Sequence, residues 1–123
     1  MSSTNNNIKE AQRWLNQARY DLQSAYHSSG GEFYSTACFQ AQQAAEKALK
    51  ALLIRRGRRG LLSHSTLQLI KELANENEDI LAYTKHARIL DRFYIPTRYP
   101  DALPDGSPYE AFDREDAVQA LQL

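Results

Sequence analysis

Apolar residues early in the chain recur at alternating spacings of three and four: Ile8, Ala11, Leu15, Ala18, Leu22 and Ala25. That rhythm lines one face of a helix running from about Ile8 to His27, and it leaves residues 1–7 as a disordered polar segment ahead of it. Ser28, Ser29, Gly30 and Gly31 then form a turn. A second helix is predicted from near Glu32 to about Arg56, closed by Gly57, a residue suited to the left-handed position after a helix. Ala37, Cys38, Ala41, Ala44, Ala45, Ala48, Leu49, Leu52 and Leu53 make it apolar most of the way round, so it reads as the central helix, with alanines permitting close approach of its neighbours. Ser65 and Gln68 form an S-x-x-Q capping box for a third helix carrying Leu67, Ile70 and Ala74, which Asn75 to Asn77 end. Ile80, Tyr83, Ala87, Leu90 and Tyr94 set the rhythm of a fourth helix, which must stop near Pro96 because proline lacks the donor and disfavours helix just before itself. After a loop rich in proline, Asp113 can cap a last short helix to about Leu121, with Glu115 and Asp116 in its first turn.

Nothing in the chain alternates with the period of a strand, and no repeat is visible. The fold class is therefore all-α: an up-and-down bundle of four to five helices, forming one domain over 8–123. Its 123 residues suffice for one core, and fifteen basic residues balance fifteen acidic ones. Such a chain has no global field to steer it to DNA or a membrane, so an anionic ligand must be caught locally. The N-terminus lacks a secretory signal and no apolar run approaches the roughly 20 residues that span a bilayer, which points to a cytoplasmic protein without a membrane partner. Cys38 is alone, so it makes no internal disulfide, and it reads as a small buried hydrophobe.

One stretch of the chain is densely basic. Arg55, Arg56, Arg58 and Arg59 surround Gly57; they serve either as cations at the negative end of a helix dipole or as a phosphate or RNA contact. His27 and His86 are isolated, no carboxylate or cysteine constellation has ligand spacing, and neither metal nor cofactor is expected. Trp14, Tyr34 and Phe39 flank the apolar stripes, as core residues or as an aromatic homodimer surface.

Several strings together resemble the HEPN domain family: A-x-x-D-L from Ala18 to Leu22, Q-A-A-E-K-A-L-K-A-L-L from Gln43 to Leu53, H-S-x-x-x-L from His64 to Leu69, and L-D-x-x-Y-I-P-T-R-Y-P-D from Leu90 to Asp101. The last is the most specific, since a generic bundle has no packing reason to contain it. The resemblance implies a four- to five-helix bundle that often forms a homodimer and is frequently encoded beside a minimal nucleotidyltransferase, as a two-component or toxin-antitoxin pair.

One branch of that family consists of metal-independent ribonucleases marked by R-x(4–6)-H late in the bundle. Here Arg92 is followed at the corresponding place by Arg98, and an always-protonated guanidinium cannot shuttle the proton a histidine would. Arg59 and His64 do satisfy R-x(4)-H, but they lie between the second and third helices, where a histidine is an ordinary end-of-loop residue. The chain is closer to the branch with the R-Y-P signature, for which nucleotide binding is implied in place of cleavage, so the catalytic set is empty. Arg98 offers a planar fork for phosphate, Tyr94 and Tyr99 could stack on a base, and Arg92 and Lys47 could add positive charge. Asp91 and Asp101 could instead consume those charges and leave a rigid clamp. The expected function is a nucleotide- or RNA-phosphate-binding module acting with a nucleotidyltransferase partner; the alternatives are a ribonuclease toxin using Arg92 and an unidentified base, and a purely structural dimeric partner protein.

Overall fold

Helix α1, Ser2–Gly30, and helix α2, Tyr34–Arg55, form a long hairpin that organises everything else. The structure, a computed structural model, describes residues 2–58, 63–94, 101 and 103–122. Their antiparallel course shows in the paired side chains: Ser24 and Ser28 meet Gln40, Asp21 meets Lys47, Trp14 meets Lys50, and Asn7 approaches Gly57. Ala11, Ala18 and Ala25, seven residues apart, are the buried positions of α1 among the described residues. They face the buried Ala37, Ala41, Ala44 and Ala51 of α2, and the absence of bulk at this seam lets two backbones approach closely. Leu22 and Ile8, expected in the same stripe, keep 40% of their surface exposed.

The remaining described elements are α3 (Thr66–Ala74), a 3-10 segment (Glu78–Tyr83), α4 (Thr84–Asp91), α5 (Pro108–Ala111) and α6 (Arg114–Gln122). No strand occurs among the described residues, and the all-α bundle predicted from periodicity is what the chain forms. No helix among them is long and apolar enough to cross a membrane.

Four boundaries differ from expectation. Residues 2–7, expected to be disordered, are the first turns of α1, because extending a helix already nucleated at its apolar stripe adds a hydrogen bond per residue fixed. The turn after α1 is taken by Glu32 at φ 69, with Phe33 N–H donating to Ser28 O at 2.8 Å, so α2 starts at Tyr34. The predicted fourth helix is two pieces: Asn77 Oδ1 accepts from Asp79 N–H at 3.0 Å, a short cap that starts a tight 3-10 turn, and α-helix begins only at Thr84. The short α5 was not predicted, although Ser107 followed by Pro108 is a helix-start pair.

Other ends follow their sequence signals. Gly57 adopts φ +91; its N–H donates to Ile54 O and that of Arg58 to Leu53 O, the two bonds of a Schellman motif. Ser65 Oγ accepts from Gln68 N–H at 3.1 Å at the start of α3. At α6 the capping is reciprocal, since Asp113 accepts from Asp116 N–H at 3.1 Å and Asp116 accepts from Asp113 N–H at 2.9 Å.

Two apolar clusters lie on opposite ends of α2. One gathers Ala25, Ala37, Cys38, Leu90, Phe93 and Ala117, joining the hairpin to α4 and α6. The other packs Leu53 on Leu69 and Leu73 of α3. Cys38 is fully buried as expected, and burial, reinforced by Asp116 and Asp113, pushes its thiol up to about 12.

Candidate functional site

On the apolar surface of α2, Gln42, Glu46 and Lys50 recur every four residues and so form one polar stripe. All three are buried, at 0%, 3% and 4% exposure. A carboxylate and an ammonium placed there cost several kcal/mol each unless their partners are good. Lys50 Nζ reaches Glu46 Oε2 at 3.1 Å and stands 5.6 Å over the Trp14 ring. Gln43 Nε2 donates to Gln42 Oε1 at 2.9 Å and lies 3.5 Å from Glu46 Oε1.

The outer partner of this stripe is His64. Its Nδ1 lies 3.2 and 3.4 Å from the two Glu46 oxygens, and Gln42 Nε2 donates to its main-chain carbonyl at 2.9 Å. Side chain and backbone of one residue are therefore both tethered to α2. The imidazole stacks on Tyr94 with centroids 5.1 Å apart and planes 15° from parallel, and Phe39 lies 6.2 Å from the same Tyr94 ring. Yet the His64 side chain keeps 56% of its surface exposed. Its Nε2 makes no hydrogen bond among the described residues.

Asp91 fixes the chain just beyond His64. Its carboxylate accepts from Ser65 Oγ at 2.8 Å, Thr66 N–H at 2.8 Å, Thr66 Oγ1 at 2.7 Å and Leu67 N–H at 3.1 Å. It thus caps α3 from α4, combining hydrogen bonds to orphan amides with the favourable end of the helix dipole. Asp91 is spent on this helix start, and makes no ion pair with an arginine among the described residues.

The five predicted binding residues are distributed unequally. Tyr94 is half-buried against His64 and Phe39. Arg92, just past α4, is exposed and makes no ion pair among the described residues. Lys47 is paired with Asp21 of α1, on the surface that also holds Glu10, Arg13, Trp14 and Gln17. Arg98 and Tyr99 lie outside the described residues. The basic patch is partly consumed, with Arg58 on Glu72 at 3.0 Å and Arg56 on Glu76 at 3.5 Å, so those cations tie the end of α2 to α3. Among the described residues, no three His, Cys, Asp or Glu side chains gather to hold a metal ion.

The Glu46–Lys50–His64 network was missed because an E-K pair on an alanine-rich helix reads as its solvated edge. The available signal was the four-residue spacing of Gln42, Glu46 and Lys50 inside an otherwise apolar run.

Comparison with known proteins agrees with this architecture. Residues 11–123 match the HEPN domain family. The chain is 29% identical over 130 residues to the Methanocaldococcus jannaschii protein named Putative toxin MJ1304, covering 99% of this chain and 86% of that one. Among solved structures, TT1696 from Thermus thermophilus superposes with a TM-score of 0.81 at 45% identity, over 91% of this chain and 87% of that one. ST0689, described as an archaeal HEPN homologue, gives 0.73 at 38% identity over 91% and 86%. A HEPN domain protein of Thermotoga maritima, tm0613, gives 0.68 at 34% identity over 89% and 86%. Sequence strings, helical architecture and these relatives agree: the chain belongs to the HEPN domain family.

Proposed function

We propose that this HEPN domain is a binding module that holds a nucleotide or an RNA phosphate where the Y-I-P-T-R-Y-P string leaves α4, and that it works with a minimal nucleotidyltransferase as one half of a toxin-antitoxin type pair. The observation that carries the reading is Arg92, exposed and without an ion pair among the described residues, two positions before Tyr94, whose ring is packed on a tethered His64. A guanidinium with no carboxylate partner among the described residues is available for bidentate contact with phosphate. Arg98 and Tyr99 follow in the same string and extend that chemistry. Lys47, already paired with Asp21, contributes less. The likeness to a protein named as a toxin supports the pairing.

A second copy of the chain is part of the same reading. Leu15, Leu22, Ala41, Ala45, Ala48 and Leu121 border an apolar hollow of about 320 Å³, and Leu22 at its edge is 40% exposed. A homodimer would cover it.

Calorimetric titration with ATP, GTP and a short oligoadenylate tests the binding site, with molar mass measured by light scattering. Saturable binding that falls at least about tenfold in both Arg98→Ala and Arg92→Ala is expected, since a hydrogen bond to a charged group is worth about 1.5–3 kcal/mol. No heat with any ligand would leave a purely structural partner protein. RNA cleavage lost in Arg92→Ala would make the chain a ribonuclease instead.

A further inference from the structure

We infer that His64 is the surface on which an unpaired nucleobase of the ligand stacks, an inference that rests on the nucleotide- or RNA-binding reading and assigns that site its base contact. Tyr94, two residues after Arg92 in the string, already spends its ring on His64 and Phe39. His64 ends this run of rings, and 56% of its side chain faces solvent.

An exposed histidine ordinarily samples several rotamers, and ordering it on binding costs free energy. Here that cost is met before any ligand arrives. Glu46 holds Nδ1, Gln42 holds the main-chain carbonyl, Tyr94 supports one face, and Asp91 anchors the next three residues. Glu46 can do this only because it is itself held, buried, by Lys50, which is packed over Trp14. A buried ion pair of this kind stabilises a bundle poorly compared with apolar residues of the same volume, and here it holds the side chain that tethers His64. What it produces is one rigid, flat, exposed ring.

Such a ring suits a nucleobase. Every base presents a π-face, and histidine is among the side chains on which unstacked bases settle. With Nδ1 on Glu46, Nε2, which makes no hydrogen bond among the described residues, is left for a contact to the base or its sugar. The ligand would then meet protein at two places: phosphate at Arg92, base at His64.

Wild type, His64→Ala and His64→Phe should be titrated with two probes, a short oligoadenylate and inorganic tripolyphosphate, after thermal melts establish that each variant folds. His64→Ala is expected to weaken oligoadenylate about 5- to 150-fold, the range measured when a stacking aromatic is truncated. His64→Phe, which restores the ring without its nitrogens, should regain most of that loss, and tripolyphosphate should bind all three proteins alike. Unchanged oligoadenylate binding by His64→Ala, or equal weakness of the Phe and Ala variants, overturns the inference while leaving the phosphate site standing. A wild type that binds neither probe overturns the binding function, and this inference with it.

Discussion

Replacing Asp91 by alanine tests whether α3 and His64 are positioned from α4. The carboxylate accepts two backbone N–H groups, of Thr66 and Leu67, and two hydroxyls, of Ser65 and Thr66. After truncation Thr66 Oγ1 keeps its bond to Ala87 O at 3.1 Å, and Ser65 and Leu67 are near enough to the surface to find water. The Thr66 N–H is different, because Thr66 is 1% exposed and water cannot replace the lost acceptor. A lost cap costs about 0.5–2 kcal/mol and a buried unsatisfied donor about 1–3 kcal/mol, so the variant should lose about 2–4 kcal/mol. For a domain of this size that lowers Tm by about 10 °C. Urea unfolding followed by circular dichroism measures it, and Asp91→Asn, which keeps one acceptor oxygen, should fall between. A loss under about 1 kcal/mol with an unchanged slope would refute the view that this carboxylate organises the start of α3.

Three further outcomes follow from the buried chemistry. Lys50→Met strands the Glu46 carboxylate at 3% exposure and should cost about 3–5 kcal/mol, most of it recovered in Lys50→Met/Glu46→Gln; additive losses in a double-mutant cycle by urea unfolding would show that the two are not coupled. The Cys38 thiol should resist maleimide at about pH 8 in the folded protein and react only on unfolding, because its acidity is suppressed to about 12 from an ordinary 9.0. The sign of the linkage follows: above pH 9.0 the unfolded chain releases this proton and the folded one does not, so Cys38 makes stability fall as pH rises from there towards about 12, measurable as a declining urea midpoint.

Local signals in the sequence were read where local forces decide. The Schellman turn at Gly57, the Ser65 cap and the Asp113 cap each depend on a few neighbouring residues, and each appears where its residue type demands. Boundaries set by competition between neighbours were harder. The rhythm Ile80, Tyr83, Ala87 fits one helix, but Asn77 opens a 3-10 turn that packs Ile80 against the Leu53–Leu69–Leu73 cluster, and the α-helix waits for Thr84. Of the string's residues, Arg92 and Tyr94 stand just past α4 while Arg98 and Tyr99 lie outside the described residues, and the ring partners of Tyr94 were not legible in the sequence.

Periodicity and composition by themselves determined an all-α bundle around an alanine-rich central helix, because burial of an apolar stripe depends only on its spacing along one chain. Only the tertiary structure decided that Glu46 faces inward to Lys50 and His64 instead of outward to water, and that Asp91 caps α3 instead of pairing with an arginine. The contacts to His64, Ser65 and Thr66 join residues 18 to 26 positions apart. The free energy of a charge depends on the dielectric and the donors that folding places around it, and no spacing along the chain specifies either.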